Sequence, residues 1–154
     1  MTRLMRSFPE YRVVVPGRAV SFRSSQARAY KRSVRTAARG VFARPLTDQA
    51  IEVYIDYFHR TRRRFDMDNV AKCVLDALNG MAYVDDRQIQ LQAAKAHFLQ
   101  SPVKIYGGPV DLIKPLRKYE QYLFIRIRDM RGTLRGMRHR RASSLHSRSS
   151  ITSP

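Results

Sequence analysis

The chain has 154 residues, and its 30 Lys and Arg against 12 Asp and Glu give a net charge of +18. This length suits one domain with a buried core, and such a charge attracts polyanions, of which nucleic acid is the first candidate. A single cysteine, Cys73, excludes an internal disulfide and a thiolate metal cluster. We find no lipidation signal, membrane-spanning apolar run or secretion signal, so we expect no membrane partner and a cytosolic, cytoplasmic location.

The first part of the chain predicts a strand, a helix and a second strand. Residues 11–15 are a short β-branched run that ends in a Pro-Gly turn. An apolar stripe of helical spacing covers residues 26–44, with Ser24 or Ser25 as the expected N-cap. Residues 51–58 alternate between two sets of side chains, which predicts a strand with one apolar face.

The second part predicts another helix and two more strands. Apolar residues of helical spacing indicate a helix over about residues 69–79, with Asp68 at the N-cap. Residues 89–98 alternate like a strand, but the apolar phase slips, which predicts a β-bulge near Ala93. Residues 120–128 are the last predicted strand.

Two segments lack regular periodicity. Residues 99–118 contain several Pro and Gly, and we expect a long irregular connection there. Residues 130–154 are rich in Arg and Ser, so we expect a disordered tail that either adds salt-sensitive nucleic-acid affinity or has no role. The folded domain is then residues 1–129. The order β-α-β-α-β-β indicates a small α/β (α+β) domain with two main helices on a mixed sheet.

Acidic residues are concentrated in one stretch of this basic chain. Five of the twelve lie within residues 66–86, namely Asp66, Asp68, Asp76, Asp85 and Asp86. Crowded carboxylates repel one another unless a cation compensates, and oxygen ligands suit Mg²⁺ or Mn²⁺. Asp66 and Asp68 can point into one pocket, and the chain is long enough for Asp86 to return beside them. We therefore expect these three carboxylates to converge on one or two metal ions that promote phosphodiester cleavage.

A lysine accompanies the acidic residues. Lys72 lies one helical turn beyond Asp68, where its ammonium could offset charge that develops on the phosphate. Each acidic residue also has a structural interpretation. Asp68 could be a helix cap, Asp76 is expected to pair with Lys72 at i+4 spacing, and Asp85 and Asp86 could be turn residues.

Two groups of cations are candidates for contacts with nucleic-acid phosphates. The first directly precedes the acidic stretch and consists of Arg60, Arg62, Arg63 and Arg64. The second lies opposite the apolar stripe of the first helix and consists of Arg28, Lys31, Arg32, Arg35 and Arg39. No acidic residue is interleaved with this second group, which favours phosphate contacts; a solvated helix face is the alternative.

Two motifs follow one another in this part of the chain. The first, from Arg62 to Gly80, reads RRRFDMDNVAKCVLDALNG, and the second, from Val84 to Ile89, reads VDDRQI. Together they resemble the RusA-like Holliday junction resolvases, whose hallmark is an arginine run, Asp-x-Asp-Asn, a lysine one turn later, Asp-Ala-Leu, and then Asp-Asp-x-Gln followed by Ile or Val. The resemblance covers about residues 60–92 closely.

The resemblance implies a Mg²⁺-dependent endonuclease that acts as a homodimer on branched DNA (four-way junctions) in recombination and repair. It implies metal-binding and catalytic carboxylates at Asp66, Asp68 and Asp86, and an essential lysine at Lys72. Residues 18–25 contain fewer Pro and Asn than is usual for the family, so junction contacts there are expected to differ. Two other hypotheses are a noncatalytic basic nucleic-acid-binding protein, whose carboxylates are caps and turns, and an RNA-directed metal nuclease.

Overall fold

The computed structural model describes residues 9–100, 102 and 110–130. Within them the strands are β1 (Glu10–Pro16), β2 (Ile51–His59), β3 (Ile89–Phe98) and β4 (Tyr122–Asp129), and the helices are α1 (Ala27–Arg39), α2 (Met67–Leu78) and α3 (Ile113–Lys118). The predicted mixed α/β class is confirmed. Apart from its first residue, the predicted tail lies outside the described residues. No helix in the described ranges is long and apolar enough to cross a bilayer.

The four strands form one mixed sheet in the order β1-β4-β2-β3. β4 pairs antiparallel with β1 and β2, whereas β2 and β3 are parallel, with Ile51 opposite Ile89 and His59 opposite Phe98. Parallel neighbours need a crossover, and α2 provides it. The start of α2 therefore follows the end of β2, whereas its end leads back to the start of the edge strand β3.

Helices α1 and α2 cover one face of the sheet. Ile51, Val53, Ile55 and Tyr57 of β2 all point into this main core, as the alternation predicted. The opposite face carries a smaller apolar cluster around Phe58, which packs with residues of β4 and with Leu112 beside α3. Burial on both faces explains why β4, a central strand, is apolar along most of its length.

The outer face of the sheet also buries charge. Asp56 of β2 binds His97 Nε2 of β3 at 2.7 Å and the Arg126 guanidinium of β4 at 3.3 Å. Next to this group, Arg128 bridges Glu10 and Glu52. The face that the sequence predicted as the less apolar side of β2 is therefore covered and tied together by ion pairs.

Three local predictions outside the acidic stretch were wrong. The N-cap of α1 is Gln26, which has a helical conformation and no side-chain cap, because the hydroxyl of Ser24 accepts the N–H of Gln26 instead. The extra residue in β3 is Gln90 rather than one near Ala93, because Ile89 and the residue two beyond it oppose consecutive residues of β2.

The third concerns the connection before β4. Residues 110–118 were expected to be irregular, but they form a short 3₁₀ turn followed by α3. Pro115 suggested a loop, yet it lies within the first turn of α3, where its missing N–H would have no intrahelical partner. Most of residues 101–109 lie outside the described residues.

Candidate active site

At the start of α2, the carboxylate of Asp66 is held by hydrogen bonds, whereas that of Asp68 is exposed. Asp66, not Asp68, is the N-cap, because its Oδ1 accepts the backbone N–H of Asn69 at 3.1 Å. The side-chain amide of Asn69 donates to the other oxygen of Asp66. These two bonds from Asn69, the backbone one foremost, lower the pKa of the exposed Asp66 carboxyl below its ordinary value. Asp68 lies in the first turn with its side chain exposed.

The turn before β3 separates the roles of the second acidic pair. The carboxylate of Asp85 caps the 3₁₀ turn Asp86–Gln88 by accepting the N–H of Arg87 at 2.8 Å. Asp86 is exposed, and its Oδ1 accepts a hydrogen bond of 3.0 Å from the side-chain amide of Asn79 at the end of α2. Asp85 is therefore a structural residue of the turn, whereas Asp86 faces the helix.

Gln88 holds this turn in place; the sequence placed it in the second motif but gave it no role. It is 8% exposed, and its Oε1 accepts the N–H groups of Val84 and Asp85 at 2.9 and 3.0 Å. Its amide donates to the carbonyls of Leu46 and Gln49 at 3.0 and 3.2 Å. The Asp-x-x-Gln spacing of a capping box was the sequence signal that could have identified Gln88.

A pocket of about 450 Å³ lies between α2 and the edge strand β3. Its polar lining includes Asp68, Lys72, Asp76 and Asp86, and its apolar floor is Leu75, Ile89 and Leu91. Two of the three predicted metal ligands and the predicted lysine thus share one cavity. Asp66 caps the helix end beside it.

The predicted convergence of three carboxylates within one chain is not found. Within the described ranges, no group of three His, Cys, Asp or Glu side chains could hold a metal ion. Asp68 is in the first turn of α2 and Asp86 binds Asn79 at its last, so about 16 Å of helix separates the two ends. The carboxylates suit a hard cation chemically, but the described residues of one chain do not bring three of them together.

Lys72 does not pair with Asp76 as predicted. Asp76 instead binds Lys31 of α1 at 2.9 Å, which is an ion pair between the two helices. The ammonium of Lys72 lies 4.3 Å from the centroid of the Phe22 ring. Among the described residues Lys72 makes no ion pair, so its charge faces the pocket uncompensated.

A comparison with models of protein families identifies the family of the chain. The family model of the endodeoxyribonuclease RusA matches residues 11–107, a range that runs from β1 past β3 and includes every acidic residue of the pocket. The chain belongs to the RusA endodeoxyribonuclease family. It is accordingly a nuclease, and the resemblance of the two motifs is confirmed. The comparison with curated proteins gave no significant match.

In this RusA-family chain, the predicted cations of α1 divide into two kinds. Lys31 binds Asp76, and the guanidinium of Arg35 donates to the carbonyl of Ala77 at 3.0 Å, so both join α1 to α2. Arg28, Arg32 and Arg39 are exposed and make no ion pair within the described ranges. The solvated-face and phosphate-contact hypotheses therefore stay open for these three residues.

The arginine run between β2 and α2 is exposed throughout residues 60–64. Arg63 lines a second cavity of about 320 Å³ together with Arg18, Thr61, Phe65 and Gln121. Arg18 was not among the predicted cations, because it lies far from the run in sequence. The RusA-family site thus has an acidic pocket along α2 and a basic cavity lined by the loop before α2 together with Arg18 and Gln121.

Proposed function

We propose that this protein is a Mg²⁺-dependent endonuclease that resolves four-way DNA junctions by paired phosphodiester cleavage in recombination and repair. The main support is the pocket beside α2, where Asp68, Lys72 and Asp86 are solvent-accessible and without ion partners among the described residues. Ionisable groups left uncompensated in a cavity are candidates for binding a ligand or taking part in chemistry. Membership of the RusA family makes that chemistry DNA cleavage.

We assign Asp66, Asp68 and Asp86 as the metal ligands, with Mn²⁺ as an alternative to Mg²⁺. When bound, the ion would polarise the phosphate and lower the pKa of an attacking water. Asn69 and Asn79 hold the carboxylates of Asp66 and Asp86 through hydrogen bonds. Lys72 presents a full positive charge to the phosphate, on which negative charge accumulates during displacement.

A homodimer would supply what one chain lacks. Asp68 and Asp86 lie at opposite ends of α2, so a two-fold axis near the middle of this helix would set the start of one α2 beside the end of the other. Asp86 of a second copy would then join Asp66 and Asp68 of the first. The surface around the edge strand β3 suits such a contact, since Leu91 is 41% exposed there. Two equivalent sites match a reaction that cuts two strands of a symmetric junction.

The DNA backbone would be gripped by exposed cations next to the pocket. We assign this role to Arg60, Arg62, Arg63 and Arg64, to Arg28 and Arg32 of α1, and to Arg18. Lys31 and Arg35 hold the two helices together, so they would contribute to DNA binding only by adding to the positive electrostatic potential. Contacts of this kind neutralise phosphates and release counterions, so affinity for DNA should fall with salt.

The test is cleavage of a synthetic four-way DNA junction at fixed salt by wild type and Asp68→Asn. Asn keeps the size of the side chain, and the helix cap is Asp66, so the fold should be unaffected. We expect the rate to fall at least about 100-fold, because losing a metal ligand removes several kcal/mol of transition-state stabilisation. The matched control is Asp48→Asn, which changes an exposed aspartate outside the pocket and should cut at the wild-type rate.

Binding distinguishes this proposal from a noncatalytic basic DNA-binding protein. Chelation of Mg²⁺ should abolish cutting by wild type while fluorescence anisotropy still detects the junction bound, because neutralising phosphates does not need the ion. Equal cutting by Asp68→Asn and wild type would falsify the catalytic assignment. A wild type that binds the junction but never cuts it would favour the noncatalytic hypothesis. Preferential cutting of structured RNA over branched DNA would instead favour an RNA-directed nuclease.

A further inference from the structure

We propose that Phe22 is a positioning residue for Lys72, holding the ammonium in the pocket without neutralising it. The inference rests on the proposed nuclease function of the same pocket. Phe22 lies in the loop between β1 and α1, distant in sequence from both acidic motifs. Neither the family motifs nor the spacing of charged residues identifies it.

The contacts of Lys72 point to the ring. Two carboxylates are one helical turn away, Asp68 before it and Asp76 after it, and either could form an i,i+4 pair. Asp76 is engaged by Lys31 at 2.9 Å, and Lys72 makes no ion pair among the described residues. Its Nζ lies 4.3 Å from the centroid of the Phe22 ring, within the range of a cation–π contact.

A backbone hydrogen bond holds the loop that carries the ring beside α2. The N–H of Phe22 donates to the carbonyl of Asn69 at 3.0 Å, so the loop is tied to the turn of α2 that carries the first acidic pair. Lys31 also lies over the ring, at 5.2 Å, and its own pairing with Asp76 holds it there. Phe22 is 37% exposed, so this arrangement is not required for filling the core.

A ring and a carboxylate would hold the lysine with different consequences. An exposed lysine has a flexible four-carbon stem and samples many rotamers unless something restrains it. A carboxylate restrains the ammonium but cancels its charge. The face of an aromatic ring attracts the ammonium and adds no net charge, so the lysine stays available to a phosphate. Phe22 therefore limits the positions of Lys72 and leaves its charge to the substrate.

The kinetic test compares Phe22→Leu with Phe22→Tyr. Leu keeps an apolar side chain but has no ring face, whereas Tyr keeps the ring. We expect Phe22→Leu to lower kcat for junction cleavage about two- to fivefold, the size of an exposed cation–π contact, with little change in the Kd for the junction without Mg²⁺. Phe22→Tyr should retain at least half of the wild-type kcat. Val41→Ala is the matched control, since Val41 has the same exposure as Phe22 and lies outside the pocket.

A second readout needs neither metal nor catalysis. Reductive methylation with ¹³C keeps lysines charged and makes each one visible by NMR. In the metal-free protein we expect the methyl signals of Lys72 to be shifted upfield by the Phe22 ring, with the assignment made from Lys72→Arg. In Phe22→Leu these signals should move to the position of exposed lysines such as Lys114, whose side chain is 86% exposed.

The outcomes separate this inference from the nuclease proposal. Wild type that cuts the junction, together with Phe22→Leu that cuts equally fast, overturns the role of Phe22 alone. An effect of Phe22→Leu on Kd only, or equal impairment by Leu and Tyr, also overturns it. Unshifted Lys72 signals in wild type overturn the contact even where a variant fails to fold. Wild type that never cuts overturns the nuclease proposal, whatever the NMR spectrum shows.

Discussion

Two charged regions of this small protein use the same residue types in opposite ways. On the outer face of the sheet, Asp56, His97 and Arg126 are each less than 10% exposed and are joined by contacts of 2.7 and 3.3 Å. Along α2, Asp68 and Lys72 are exposed and make no ion pair among the described residues. In the first region the charged groups are paired with one another. In the second they are accessible to solvent or a ligand.

The difference teaches that residue type alone does not mark a functional aspartate. Asp56 is buried, and its bonds to His97 and to the Arg126 guanidinium offset part of the cost of removing its charge from water. Asp68 faces a cavity. The helix cap, which was the structural interpretation of Asp68, is instead the neighbouring Asp66. The outer face should therefore control stability, and the pocket should control activity.

The largest expected effect is on the outer face. Asp56→Asn removes the carboxylate that both His97 and Arg126 bind, and breaking such a buried pair costs about 3–5 kcal/mol. Urea denaturation should show a loss of this size, while the folded variant cuts the junction at the wild-type rate. Asp86→Asn is the matched control, because its exposed side chain should change the free energy of unfolding by less than about 0.5 kcal/mol. Equal destabilisation by both substitutions would contradict the division into two regions.

Gln88 tests whether stability and activity are separate, because its buried amide holds the turn that carries the exposed Asp86. Gln88→Leu removes four hydrogen bonds. Val84 and Leu46 still bond each other through their backbones, but the N–H of Asp85 and the carbonyl of Gln49 lose the Gln88 side chain, and we expect a loss of about 2 kcal/mol in the free energy of unfolding. Because the turn carries Asp86, cleavage should also fall about 10- to 100-fold, as for other residues that orient metal ligands. Junction affinity without Mg²⁺ is the control and should hold. Full activity of a destabilised Gln88→Leu would show that the turn does not position Asp86.

The smallest expected effect is on the salt dependence of DNA binding, and it should differ between Arg63 and Arg35. Arg63 makes no hydrogen bond or ion pair within the described ranges, whereas Arg35 donates to the carbonyl of Ala77. If Arg63 contacts a phosphate, Arg63→Ala should reduce the slope of log affinity against log salt by about 1. Arg35→Ala should leave that slope nearly unchanged and lower stability by about 1 kcal/mol. Equal slopes for Arg63→Ala and wild type would remove Arg63 from the interface.

The spacing of apolar residues predicted the main helices and strands, because it depends only on which side chains of each segment face the core. The alternation of β2 and the stripe of α2 both follow from which side chains face one core, and both are found where expected. The bulge was placed near Ala93 because the apolar phase slips there, but strand pairing fixes it at Gln90. The difference arises because β3 is an edge strand whose residues 90–93 are exposed, so whether a side chain there is apolar or polar does not mark the register.

The charge partners were harder to predict because they come from distant segments. The sequence predicted Lys72 as the partner of Asp76 from their helical spacing, yet Lys31, on a different helix, occupies that carboxylate. Asp66, Asp68, Lys72 and Asp86 were all identified from sequence, and three of them share a pocket. Their distribution along α2 was missed, because chain length permits Asp86 to approach Asp68 but does not require it.

The most direct test of the account uses mixed dimers of Asp68→Asn and Asp86→Asn, isolated with two affinity tags. If each site takes Asp68 from one copy and Asp86 from the other, a mixed dimer has one intact site and one site with both substitutions. We predict that each single variant is inactive and that the mixed dimer nicks one strand of the junction at about half the wild-type rate per dimer. Mixed dimers as inactive as their parents would contradict a site shared between the two ends of α2.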